Sequence, residues 1–211
     1  MKLRTRAIAI AAAAGLAAAP MMTGTAQAAP GTTSLGDVLL ADTVEGAPSF
    51  DKNGGDFDIL TAAVLGVLDN DPDSVVGVLL DGDVTLTAFI PTDKGFERTA
   101  GALGITAKNE KALTNKLVAA LGIDTIEQVL LYHVAPGVKI NYKAAKQADG
   151  ARLDMANGET VKVNVKKDGS IWLKDKVSDI KNPKVIVTDI NKGNTQIAHA
   201  INRVLLPTLP A

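Results

Sequence analysis

The chain contains 211 residues, carries a formal net charge of −1 and has no cysteine. This length fits one domain or two small ones. The lack of cysteine excludes a disulfide framework and thiolate metal sites, and the near-neutral charge argues against a nucleic-acid-binding protein. Hydrophobic residues make up 46% of the chain but aromatic residues only 3%, so we expect an aliphatic core.

The first 28 residues have the pattern of a secretory signal peptide. Lys2, Arg4 and Arg6 precede an apolar run over residues 7–19, and Ala26-Gln27-Ala28 places small residues where a signal peptidase cleaves. A membrane anchor would need about 20 apolar residues, which this run does not provide. We therefore predict that residues 1–28 are a signal peptide and that the protein is secreted, with no membrane span in the mature chain.

Helical periodicity dominates the part of the chain before Gly137. Apolar residues between Ile59 and Val67 recur at helical spacing, with Asp56 or Asp58 as the predicted N-terminal cap. Residues 85–90 form a predicted buried strand. Two further helices are predicted, one over residues 108–121 and one beginning at Asp124.

The remaining residues alternate with the period of β-strands. Asn157-Gly158 and Asp168-Gly169 are typical hairpin turns between predicted strands at 151–156, 159–165 and 170–174. Two more strands are predicted at 184–190 and 201–206. Helices followed by antiparallel strands indicate an α+β fold.

Few residues suggest chemistry. His133 continues the apolar stripe of the helix that begins near Asp124, and His199 alternates with Ile197 and Ile201, so we expect both histidines in the core. They lack the spacing of a zinc site. The acidic run Asp69-Asn70-Asp71-Pro72-Asp73 fails the calcium-loop pattern at its sixth and twelfth positions. We therefore predict no metal site and no cofactor.

Four segments together resemble the fasciclin domain family. They are an opening helix, a strand followed by Pro-Thr-Asp, a central Tyr-His motif and a closing apolar motif. In this sequence they read FDILTAAV at 57–64, TAFIPTDKGF at 87–96, LLYHVAPG at 130–137 and IAHAINRVLLP at 197–207. Gly95, Asn202 and Thr195-Gln196 depart from the residues that the family commonly has at those positions.

The resemblance implies a single α+β domain, a compact β-sandwich or wedge of mainly antiparallel strands with packed helices. It implies a fasciclin-like domain over residues 56–207, an N-terminal extension over 29–55 and a C-terminal tail over 208–211. It also implies adhesion rather than enzymatic activity.

The family motifs nominate Tyr132, His133, Thr92 and Asp93 as candidate partner contacts. The residues themselves favour structural roles. A histidine on an apolar stripe is usually buried and hydrogen-bonded, and a Thr or Asp after a strand can cap the following helix.

We therefore expect a secreted, non-catalytic binding module for cell-surface or extracellular-matrix adhesion, whose partner is a cell-surface protein or a polysaccharide. The alternative is an extracellular carrier of a small apolar ligand, such as a lipid or a pigment. Basic residues concentrate between Lys139 and Lys184. We interpret them as a solvated face, and docking on an anionic polymer is the alternative.

Overall fold

A computed structural model of the protein describes residues 31–208, so the predicted signal peptide lies outside the described residues. The helices are α1 (Leu35–Leu40), α2 (Asp58–Asn70), α3 (Asp93–Ala102), α4 (Glu110–Leu121), α5 (Ile123–Leu131) and α6 (Tyr142–Gln147), with a 3-10 helix at Val75–Leu80. The strands are β1 (Thr43–Val44), β2 (Ala47–Pro48), β3 (Leu86–Pro91), β4 (Val134–Pro136), β5 (Arg152–Asp154), β6 (Thr160–Val165), β7 (Ile171–Lys174), β8 (Val185–Ile190) and β9 (Gln196–Ile201).

The strands from β3 onward form two sheets. A four-stranded sheet has the order β4-β3-β9-β8, and a three-stranded antiparallel sheet has the order β5-β6-β7. In the larger sheet the central pair, β3 and β9, is parallel, whereas the two outer pairings are antiparallel. The predicted α+β class with mainly antiparallel strands is therefore confirmed, with one parallel pair at its centre.

The four-stranded sheet contributes to two apolar cores. Leu86, Ala88 and Ile90 of β3 belong to the core formed with the helices, while Phe89 belongs to the core shared with the smaller sheet. Because successive side chains of a strand point to opposite faces, one strand can serve both cores. The helices and the three-stranded sheet thus pack on opposite sides of β3.

Both predicted hairpin turns are confirmed. β5 and β6 pair in antiparallel fashion on either side of Asn157-Gly158, and β6 and β7 do so around Asp168-Gly169. The two glycines have φ angles of 83° and 80°, which only glycine adopts without strain.

Two predicted helix caps are wrong. Phe57 occupies the N-cap of α2 and offers no side-chain bond, so neither Asp56 nor Asp58 caps that helix. Helix α5 begins after Gly122, which places Asp124 in the first turn instead of at the cap. Asp58 and Asp124 lie in the first turns of these helices, where a carboxylate interacts favourably with the helix dipole without occupying the N-cap.

The last predicted strand is also wrong in position. β9 covers Gln196–Ile201, and it pairs with β3 from Leu86↔Gln196 to Pro91↔Ile201. Every residue of β9 is buried, so its sequence does not alternate between polar and apolar residues. The apolar run Val204-Leu205-Leu206 lies outside the strands, and its backbone amides bind side chains instead.

The segment before α2 packs against the same body. Leu35 and Leu39 of α1 are buried in the core that contains the helices. Gly31 forms a bridge with Asn194, which lies just before β9. Residues 31–40 therefore cover one end of the central strand pair.

Candidate functional site

Tyr132 and His133, two of the nominated contact residues, lie in the interior. Tyr132 is fully buried, and its hydroxyl donates a 3.1 Å hydrogen bond to the carbonyl of Thr160 in β6. Burial raises the pKa of the Tyr132 hydroxyl, with smaller contributions from Asp175 and Glu159. The phenol therefore stays neutral and connects the end of α5 to the three-stranded sheet.

His133 is 4% exposed, which confirms the prediction that it faces the core. Its Nδ1 lies 2.6 Å from the carbonyl oxygen of Val129, an acceptor, so Nδ1 carries the hydrogen. Nε2 accepts the backbone N–H of Leu205 at 2.9 Å. Burial lowers the pKa of His133 to about 4, although the bond to Val129 acts in the opposite direction. The imidazole is neutral at physiological pH, with both nitrogens occupied.

Thr92 and Asp93 are buried at the junction of β3 and α3. The hydroxyl of Thr92 accepts the N–H of Gly95, so Thr92 is the N-cap that the sequence predicts for this helix. The Asp93 carboxylate instead serves another helix. It accepts the N–H groups of Asp58 at 3.1 Å and of Ile59 at 2.9 Å, and it thereby provides α2 with the cap that Phe57 lacks.

All four nominated residues are thus at most 4% exposed. The structure brings them to two places, Thr92 and Asp93 at the start of α3, Tyr132 and His133 at the end of α5. Their contact with a partner stays a prediction, because a direct contact would require these segments to open.

Gln196, for which the sequence predicts no role, is buried and its side chain links two other parts of the chain to β9. Its Oε1 accepts the N–H of Leu35 at 2.7 Å, and its Nε2 donates to the carbonyls of Val78 and Asp81. His199 has a similar structural position, since its Nε2 donates to the carbonyl of Ile140 at 2.7 Å. The only sequence signal for Gln196 was its departure from the family motif.

The structure gathers carboxylates that are distant in sequence. Oxygens of Asp51, Asp58 and Glu110 lie within 4.8 Å of one another, and so do oxygens of Asp56, Asp58 and Asp93. The five residues are named the acidic cluster below. The acidic run at 69–73 is separate from it, with Asp71 and Asp73 exposed after the end of α2.

An apolar cavity of about 80 Å³ lies among α2, α3, α4, α5 and the C-terminal segment. Leu103 and Val118 line it and are 46% and 40% exposed, so they mark its mouth. The hydroxyls of Thr99 and Thr114, which also line it, donate to backbone carbonyls of their own helices. The cavity therefore presents carbon atoms to any occupant.

A second concave surface lies beside β8, an edge strand of the four-stranded sheet. This shallow groove has a volume of about 610 Å³ and is lined by residues of α6, the β6–β7 turn and β8, including Tyr142, Asp168, Lys184 and Ile186. It lies in the part of the chain where basic residues concentrate. Unlike the apolar cavity, it offers charged and aromatic groups.

The order of these elements can be compared with known families. The family model described as Fasciclin domain matches residues 71–207, more than half of the chain. The chain belongs to the fasciclin domain family. Fasciclin domains are an adhesion-type, non-enzymatic family, and the resemblance found in the sequence motifs is thereby confirmed.

The fold of this fasciclin domain is similar to that of a solved structure described as a FAS1 domain pair from the insect cell adhesion molecule Fasciclin I. The TM-score is 0.50 at 18% sequence identity, and the match covers 83% of this chain. It covers 51% of the other chain, so this chain spans about half the length of that domain pair. A search of curated proteins finds no match.

Within residues 31–208, no helix is long and apolar enough to cross a membrane.

Proposed function

We propose that this fasciclin domain is a secreted, non-catalytic adhesion module that contacts a cell-surface protein or a polysaccharide. Its family supports a binding role, and the charged and apolar pattern of residues 1–28 supports export. The observation that carries the proposal is the surface beside β8, because the nominated motif residues are buried and this surface is accessible.

Apolar side chains are exposed along the β8 edge. Ile186 and Val187 are 48% and 51% exposed, and Tyr142 beside them is 39% exposed. An edge strand carries unpaired backbone groups, and exposed apolar side chains next to them are typical of interaction sites. The register shifts on either side of Val187 bend the strand, which limits indiscriminate strand pairing.

Two lysines stand over aromatic rings near this groove. Nζ of Lys184 lies 5.9 Å from the centre of the Trp172 ring, and Nζ of Lys146 lies 5.4 Å from that of Tyr142. Aromatic faces and ammonium groups together suit a polymer that carries both apolar and anionic groups. An acidic polysaccharide fits this surface, as does an acidic patch on a protein.

The test is binding of the purified protein to intact cells and to immobilised acidic polysaccharide. Ile186 lines the groove, so we expect Ile186→Ser to weaken binding at least fivefold, and Lys184→Gln to weaken it and reduce its salt dependence. The matched control is Val75→Ser, since Val75 is 60% exposed in the 3-10 helix. Equal binding by Ile186→Ser, Lys184→Gln and wild type would exclude the β8 surface as the contact.

The apolar cavity favours a second candidate function, the carrying of a small apolar ligand. Its volume of about 80 Å³ is roughly half of the ~150 Å³ cavity that accommodates benzene, so a ligand would extend through the mouth at Leu103 and Val118. The lining hydroxyls are engaged with backbone carbonyls, which disfavours a polar occupant.

For this candidate we would extract the secreted protein and identify lipids or pigments by mass spectrometry, then titrate octanol calorimetrically. Ala63 lines the cavity, and Ala63→Leu should fill it and reduce octanol binding at least tenfold. Ala62→Leu, on the same helix but outside the cavity lining, is the control. Empty extracts together with no octanol heat would reject the carrier function.

A further inference from the structure

The acidic cluster lies where the first turns of three helices meet. Asp58, Asp93 and Glu110 are the first residues of α2, α3 and α4, and all three are buried. Asp51 is exposed and Asp56 is partly buried. Five carboxylates therefore converge at one place although their positions span residues 51–110.

The hydrogen bonds in the cluster satisfy only some of these carboxylates. Asp93 accepts the two amides of α2, and Asp58 accepts the N–H of Ser49 at 3.2 Å and that of Asp51 at 3.1 Å. Both carboxylate oxygens of Asp56 are buried without a hydrogen-bond partner among the described residues. Helix capping thus accounts for Asp93 and loop formation for Asp58, but neither accounts for Asp56.

Glu110 points most clearly to a ligand. It is 5% exposed, and its Oε2 has no hydrogen-bond partner within residues 31–208. One of its oxygens lies within 4.8 Å of oxygens of Asp51 and Asp58. Leaving a buried carboxylate unpaired is costly, and a neighbouring cation compensates that cost directly.

Although the sequence predicts no metal site, we propose that Asp51, Asp58 and Glu110 bind a calcium ion, with Asp56 and Asp93 adding negative charge behind it. The donor set contains only oxygen, which selects hard cations over zinc or copper. Calcium accepts six to eight oxygens in irregular arrangements, whereas magnesium demands a near-ideal octahedron. The exposed carboxylate of Asp51 gives the ion access from solvent, and water completes its coordination there.

The charges around Glu110 support this site. Burial and, to a smaller extent, the carboxylates of Asp56, Asp58, Asp51 and Glu97 raise the pKa of Glu110 to about 7. Burial and the charge of the neighbouring Asp56 carboxylate raise the pKa of Asp93 to about 8. The carboxylates therefore repel one another at this place, and a bound cation would offset that repulsion.

The experiment compares EDTA-treated wild type, Glu110→Gln and Asp73→Asn by thermal unfolding and calorimetry with CaCl2, at constant ionic strength. Calcium at about 100 times its Kd should raise the wild-type Tm by roughly 5–10 °C. Glu110→Gln should lose this shift and bind calcium at least tenfold more weakly. Asp73→Asn, which removes one exposed carboxylate outside the cluster, should respond as wild type does.

An unchanged Tm with no binding heat would overturn the proposal and leave protons as the neutralising charge. An equal shift in wild type and Glu110→Gln would overturn it as well, because calcium would then bind elsewhere. None of these outcomes depends on adhesion or on the apolar cavity.

Discussion

The backbone N–H of Leu205 donates a 2.9 Å hydrogen bond to Nε2 of His133. The other ring nitrogen of His133 is engaged by Val129, one turn earlier in α5. One buried imidazole therefore connects the end of α5 to the C-terminal segment. The neighbouring amides of that segment also donate to side chains. The N–H of Val204 donates to the hydroxyl of Thr99, and that of Leu206 donates to the carboxylate of Asp175.

His133→Ala should destabilise the protein by about 2–4 kcal/mol, because it opens a cavity and leaves the N–H of Leu205 unpaired. Tyr132→Phe is the neighbouring control and should cost only about 1 kcal/mol, since it removes a single hydrogen bond to Thr160. Denaturant unfolding measures both. A His133→Ala midpoint equal to that of wild type would contradict the structural role.

The ionisation of His133 should make stability depend on pH. The folded-state pKa of about 4 lies below the ordinary value of 6.5, so the unfolded chain takes up the proton first as the pH falls. The stabilisation is complete above pH 6.5 and is lost towards pH 4, by roughly 3 kcal/mol.

Asp93 and Glu110 have raised pKa values and change stability in the opposite direction, so the His133 contribution must be isolated. The stability difference between wild type and His133→Ala should narrow as the pH falls from 6.5 to 4. In an NMR titration the His133 ring should remain neutral down to about pH 5. Titration of this ring near pH 6.5 would show that it is not buried as described.

Asp93→Ala should destabilise the protein more than Thr92→Ala does. The loss of the Thr92 hydroxyl removes one N-cap bond of α3 and should cost about 1 kcal/mol. Asp93→Ala removes both bonds to the first amides of α2, for which we expect about 2 kcal/mol, partly offset by weaker repulsion within the acidic cluster. Thr92→Ser retains the cap and should match wild type. Unfolding midpoints test this order, and equal losses for the two Ala variants would refute it.

Gln196→Ala should release α1 from the rest of the protein. Leu35 loses its acceptor, and the carbonyls of Val78 and Asp81 lose their donor, so we expect a loss of about 3 kcal/mol. In Gln196→Ala, hydrogen exchange should accelerate relative to wild type, and the acceleration should be larger at the α1 amides than elsewhere. Gln128→Ala, at an exposed position of α5, is the control. Unchanged α1 protection would mean that Gln196 does not anchor this segment.

The secreted chain should begin at Ala29, because cleavage after Ala26-Gln27-Ala28 follows the signal-peptide pattern. The intact mass of protein recovered from the culture medium measures this directly. Recovery of the full-length chain from the cytoplasm alone would refute both cleavage and export.

Local sequence patterns were sufficient for much of the fold. The hairpin turns at Gly158 and Gly169 and the cap Thr92 depend on partners within a few residues. The inward position of His133 followed from helical spacing alone. Such features could be predicted because neighbours in the chain determine the backbone geometry that they need.

The tertiary structure decided the features whose partners are far apart in the chain. Asp93 caps a helix that begins 35 residues earlier, and Gln196 holds an amide 161 residues away. The backbone N–H groups of residues 204–206 donate to side chains and not to a neighbouring strand, although the apolar sequence of this segment resembles that of a strand. Asp51, Asp58 and Glu110 meet only because the helices pack with their first turns together. Packing of the apolar faces determines how these elements approach one another, and the polar groups at the junctions then take the partners that this arrangement places within reach.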